Sequence, residues 1–271
     1  MQYGVSEGNL TIRRGFAPTS LGQLHFRQAG EGPPLVLLHN TWLSSRMFLP
    51  VLPDLARHFT VYAIDTLGQG DSDPAPDRTL EIAEYAAVLL EALEALGLDR
   101  PSVAGHHTGS VIAAEAAVQR PDRLAKIVLS GLPYWRNPAT RLAQEGQPFF
   151  ADWHPDADGA FLSEIWKSHG GGGRYQLESA AQTFIDYLKP GPRTSIALRA
   201  LFRWDSTERL PLITVPTLVL CAQTDGFVKN ISHVQALIPG SELRIVPGAD
   251  AHPLQDLAGF TTAVTEFCMR D

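Results

Sequence analysis

Short apolar runs alternate along this chain with longer stretches whose apolar positions fall three and four apart. PLVLLHN (34–40), TVYAID (60–65), SVAG (102–105) and AKIVLSG (125–131) are brief and rich in β-branched residues. That composition suits central parallel strands covered on both faces. LHFRQAG (24–30) reads as an edge strand. Between these runs, LEIAEYAAVLLEALEALGL (80–98) sets Ile82, Tyr85, Ala86, Leu89, Leu93 and Leu96 on one helical face, and Gly97 closes it. TGSVIAAEAAVQRPDRL (108–124) predicts a second helix, its alanines suited to tight packing on a sheet.

The alternation stops after Gly131. From Pro133 to Pro211, 79 residues give helical patterns only, the best being GAFLSEIWKSHG, QLESAAQTFIDYLKPG and SIALRALFRW. This segment holds 12 of the chain's 23 aromatic residues, Trp135, Trp153, Trp166 and Trp204 among them. The pattern predicts an inserted helical lid with its own small core and an apolar underside. HGGGGRY (169–175) reads as a turn, and without a following Lys-Ser/Thr it is no phosphate loop. Strand and helix signals then resume in PTLVLCAQTD (216–225), VKNISHVQALI, ELRIVPG and FTTAVTEFCM. The expected architecture is one α/β domain, residues 1–132 with 212–271, carrying a cap at 133–211.

Composition narrows the field. The 271 residues suffice for a large core, and 44% hydrophobic with 19% charged is ordinary for a globular protein. No apolar run approaches the roughly 18 residues of a membrane helix. A basic flank followed by an apolar stretch is missing from MQYGVSEGNLTIRR, so no signal peptide is expected. Cys221 and Cys268 stand in apolar contexts as expected free thiols, which fits a reducing cytoplasm. A net charge of −7 argues against nucleic-acid or anionic-membrane partners. No cofactor or metal is expected, and the chain does not specify an oligomeric state.

Five stretches carry the candidate chemistry: LLHNTW, AIDTLGQGDSD, GHHTG, CAQTDGFV and PGADAHPLQDLAGF. In that order they resemble the α/β-hydrolase family, over essentially the whole chain. The resemblance implies an α/β-hydrolase fold, a mostly parallel twisted sheet flanked by helices. GHHTG then takes the nucleophile elbow, where small residues at Gly105 and Gly109 permit close backbone approach and His107 is the residue lifted above the sheet. Family members usually place Ser there, less often Asp or Cys. His252 matches the catalytic histidine and Asp225 the acid that orients it, standing behind His252 rather than beside His107, with Asp250 the competing carboxylate. Thr41 and Thr108 would supply the oxyanion N–H groups, with Trp42 beside them in the substrate-binding loop. Asn40 stands where Gly is usual; Asn tolerates left-handed backbone angles, and its amide could add a donor. His39 and His106 are expected to be structural.

A histidine at the elbow leaves three mechanisms open. Its imidazole could attack an activated acyl group, giving an acyl-imidazole that His252 helps water to cleave. The two imidazoles could instead activate water or abstract a proton without a covalent intermediate. A metal held by two histidines and a carboxylate ranks last, because the resemblance sets Asp225 behind His252. Thr108 and Ser110 are not placed to replace a serine. The leading expectation is an enzyme hydrolysing an ester, lactone or C–C bond of a small to medium apolar or aromatic carbonyl compound. A lyase, isomerase or cyclase using both histidines, and a non-catalytic binder, are the alternatives.

Overall fold

A computed structural model describes residues 10–144, 147, 152–170, 177–247 and 257–270. Eight strands form one sheet: β1 (Arg13–Thr19), β2 (Gly22–Ala29), β3 (Pro34–Leu38), β4 (Thr60–Ile64), β5 (Ser102–His106), β6 (Ile127–Ser130), β7 (Thr217–Ala222) and β8 (Glu242–Val246). Their order is β1-β2-β4-β3-β5-β6-β7-β8. β2 runs antiparallel to β1 and β4, and every other neighbouring pair is parallel. The sequence reading sets 24–30 at a sheet edge, and the structure corrects this. A tight turn, with Gly22 at φ +128°, folds β1 back onto β2 and makes β1 the edge. The charged and Pro-containing sequence RRGFAPT hid that strand, yet such residues suit an edge.

The helices are α1 (Leu52–Leu55), α2 (Ile82–Ala95), α3 (Thr108–Gln119), α4 (Pro138–Ala143), α5 (Ala160–Ile165), α6 (Leu177–Leu188), α7 (Ile196–Arg203), α8 (Ser206–Arg209), α9 (Ile231–Leu237) and α10 (Leu257–Cys268). Alternate strand residues feed two cores. Val36, Leu38, Val103 and Leu129 face α2 and α3 on one side, whereas Leu35, Leu37, Ala104 and Val128 face α1 and α10 on the other. The central strands β3, β5, β6 and β7 are buried on both faces, which is why they read as continuous apolar runs. Ala113, Ala114, Ala116 and Ala117 of α3 are fully buried, so this helix lies close against the sheet and sets the level of the elbow before it.

Between β6 and β7 the described residues form helices and no strand. Polar ties hold this insertion to the sheet domain. The Asp186 carboxylate on α6, fully buried, accepts from Ser44 Oγ at 2.8 Å and from Arg46 at 3.1 Å. Gln69 Nε2 donates to the Thr194 carbonyl at 2.9 Å. At the exit, buried Glu115 of α3 accepts from Trp204 Nε1 and from two nitrogens of Arg209. Trp153 stacks on Phe161 and Trp166 meets Phe184 edge-on, so part of the aromatic content packs within the insertion. Both cysteines are free, Cys221 buried and Cys268 half-buried. No helix among the described residues is long and apolar enough to cross a membrane.

Candidate active site

The turn from β5 into α3 forces one residue into a backbone conformation that side chains rarely adopt. That residue is His107, at φ +46° and ψ −112°. Its neighbours explain how the chain tolerates this. A Cβ on Gly105 would come 2.2 Å from the Gly109 carbonyl oxygen, and one on Gly109 would come 2.3 Å from that of Leu38. Only glycine fits at either place, so the two glycines of GHHTG are demanded by packing. The His107 N–H donates to the Ser130 carbonyl at 2.9 Å, and its own carbonyl accepts from the Ser110 N–H and hydroxyl. Strain is held in place on both sides, a pattern concentrated at functional sites.

The lifted ring is about a quarter exposed, and its Nε2 lies 3.0 Å from Asp225 Oδ2, whose side chain is completely buried. The sequence reading places Asp225 behind His252, away from His107; in the structure the carboxylate meets the elbow imidazole directly. The physical reason is reach, since an imidazole extends further from the backbone than a serine hydroxyl. The other carboxylate oxygen accepts the Phe227 N–H at 2.8 Å, which fixes the carboxylate plane. His106 stacks under His107 with ring centroids 4.1 Å apart, and Phe227 meets it edge-on at 5.4 Å. Gly131 completes the niche: a Cβ there would lie 2.5 Å from Asp225 Oδ2 and 2.8 Å from His107 Nε2, and its φ is +56°. Sequence reasoning missed Gly131 and Phe227. The only trace of the first is a glycine directly after a buried strand.

The second loop, after β3, carries the other candidates. Thr41 and Thr108 join their hydroxyls at 2.7 Å, both side chains buried, and so lock the two loops together. Neither backbone N–H is engaged among the described residues, which leaves two donors at the locked corner. Asn40 is half-buried, with no partner for its Oδ1. The left-handed residue here is not Asn40 but Trp42, at φ +74°. Its indole N–H donates to Ser195 Oγ at 3.2 Å and its ring meets Tyr187 edge-on at 5.6 Å, so contacts from the insertion hold the strained residue. His39 is structural. Nδ1–H donates to the Asn40 carbonyl and Nε2 accepts the Thr66 N–H, while burial pushes its pKa down. Ser110 spends its hydroxyl on the His107 carbonyl, so neither nearby hydroxyl replaces a serine.

Asp65 organises the turn beneath this loop. Burial alone would raise its pKa, but His25 and His39 and the N–H groups of Asp71 and Ser45 outweigh that and bring it to about 2. His25, Asp65 and Asp71 bring their ligand atoms within 4.8 Å of one another. Asp65 is already spent on His25 and two amides, and Lys189 and Arg27 flank Asp71, so this set does not fit a cation. His252 and Asp250 lie outside the described residues.

The sequence profile of the alpha/beta hydrolase fold matches residues 33–257. Haloalkane dehalogenase 2 of Mycobacterium tuberculosis (strain ATCC 25618 / H37Rv) is 34% identical over 127 residues, 47% of this chain and 44% of that protein. The chain thus spans less than half the length of that relative. The pimeloyl-[acyl-carrier protein] methyl ester esterase of Vibrio vulnificus is 25% identical over 256 residues, covering 90% of this chain and 95% of the esterase. Among solved structures, a hydrolase from Pseudomonas aeruginosa PA01 superposes with a TM-score of 0.78 at 22% identity, over 97% of this chain and 99% of the other. With the sheet order, the strained elbow and a profile running through most of its length, this chain belongs to the alpha/beta hydrolase fold family.

Proposed function

We propose that the protein hydrolyses an ester, lactone or related carbonyl compound by general-base catalysis from the elbow imidazole. One observation carries this: His107, lifted by the strained turn, points Nε2 at the buried Asp225 carboxylate 3.0 Å away. A carboxylate on one ring nitrogen fixes the tautomer and supports the positive charge when the other takes a proton. Nε2–H donates to Asp225, so Nδ1 is the basic nitrogen. Standing next to the ring's own substituent, Nδ1 is crowded for attack on a carbonyl but open to a water molecule. Water then adds to the carbonyl carbon and passes its proton to Nδ1, and the oxyanion collects the N–H groups of Thr41 and Thr108. The proton taken by His107 then passes to the departing oxygen, with His252, which matches the family's catalytic histidine in sequence, as the relay. The inserted segment serves as the cap, and Trp42, held by Ser195 and Tyr187 of its described part, joins it to the site. The haloalkane dehalogenase and the methyl ester esterase it resembles support the hydrolytic class without naming a substrate.

The test is a panel of 4-nitrophenyl esters assayed with the wild type, His107→Ala and His107→Ser. The wild type should turn over at least one ester, and His107→Ala should lose about 10²- to 10⁴-fold in kcat. Intact mass during turnover should show no acyl adduct. Equal activity in His107→Ala, or an adduct on His107, would sink the general-base reading. Esterase activity that appears only in His107→Ser would assign the native protein to another reaction.

A further inference from the structure

A crevice lined largely by arginines lies on the seam between the insertion and the sheet domain, and His107 is not among its lining residues. Its volume is about 230 Å³, and Asp77, Arg78, Thr79, Arg193, Ile196, Arg199 and Arg203 line it. Four of these seven residues are arginines. Residues 77–79 come from the loop before α2 and the rest from α7 and its approach, so the crevice exists only while the two parts are docked. A second crevice of about 100 Å³ shares Arg193 and Ile196 and adds Lys189.

We propose that this seam binds a phosphate group, carried by a small molecule, between the guanidinium groups of Arg193, Arg199 and Arg203. Each arginine already has a carboxylate neighbour: Arg78 with Glu84, Arg193 with Asp77, Arg199 with Asp152 and Arg203 with Glu81. Asp77 is 95% exposed and Glu81 52%. The exposed pairs contribute little to stability and do not bar a dianion that engages several guanidinium groups at once. Arginine rather than lysine supplies the fork that matches phosphate oxygens.

Thermal shift and ³¹P line broadening, read at matched ionic strength in chloride, inorganic phosphate and glycerol 3-phosphate, test this on the full chain. The wild type should gain several degrees in Tm over chloride, and the ³¹P signal should broaden. A larger gain with glycerol 3-phosphate assigns the site to a phosphate ester, and equal gains to free phosphate. Arg199→Gln with Arg203→Gln should abolish both effects, whereas Arg13→Gln, on the far edge strand, should leave them intact. Should the double variant fold poorly, Arg199→Lys keeps the charge, removes only the fork and should weaken phosphate binding about fivefold. Phosphate that acts no differently from chloride, or acts equally on wild type and variants, overturns the proposal and leaves the arginines as plain ties across the seam.

Discussion

At the scale of single residues, the His107–Asp225 pair is held by groups that do no chemistry themselves. Asp225→Asn keeps the shape but cannot support an imidazolium, so kcat on a cleavable ester should fall about 10²- to 10⁴-fold while KM moves little. A matching Tm for wild type and variant would separate this from misfolding. Gly131→Ala is the sharper test of the niche. Its Cβ would sit 2.5 Å from Asp225 Oδ2 at a backbone φ of +56°, so the pair must part. We expect a stability cost of about 1–3 kcal/mol and loss of the downfield Nε2–H proton signal in NMR. Persistence of that signal would show that the pair tolerates the added methyl. His107, Asp225, Thr41 and Thr108 were all legible from five short stretches of sequence. The direct contact between His107 and Asp225 was not, because spacing along the chain says nothing about how far a ring reaches across the sheet edge.

At the scale of elements, the insertion is joined to the sheet domain by buried polar ties and by apolar residues of α7 that enter the main core. Glu115 of α3 holds Trp204 and Arg209 with its side chain 3% exposed. Glu115→Ala strands the guanidinium and the indole N–H, and should cost roughly 3 kcal/mol in denaturant unfolding. A change under about 0.5 kcal/mol would show the tie to be dispensable. The three- and four-residue spacing of 80–98 located α2 correctly, and the four parallel strands named at 34–40, 60–65, 102–105 and 125–131 are all present. β1 escaped notice because half its residues face solvent, and α6 and α7 were legible as helices without any hint of where they dock. Asp186 lies 142 residues from Ser44 and 140 from Arg46, and no pattern in the chain would pair them.

Across the whole molecule, the buried carboxylates set how stability varies with pH. Asp65 has its pKa lowered to about 2 from an ordinary 3.8. A depressed carboxyl contributes stability that is complete above the unfolded value and disappears as pH falls through the folded one. We therefore expect about 2 kcal/mol to be lost between pH 4 and pH 2, and Asp65→Asn to flatten that part of the curve. Asp186 works in the opposite direction. Burial raises its pKa, so its protonated form favours the fold, and stability from this group falls as pH rises through the interval between its unfolded and folded values. Urea unfolding at several pH values checks both signs.

Adjacent strands β6 and β7 pair Ile127 with Thr217, positions 90 residues apart in the chain. Loop-closure entropy grows only with the logarithm of length, so this detour costs the folded state about 1 kcal/mol more than an ordinary crossover of some 30 residues. Speed is affected more than equilibrium. β7 and β8 cannot join the other six strands until this long excursion has collapsed, which makes late, slow refolding the natural signature of this topology.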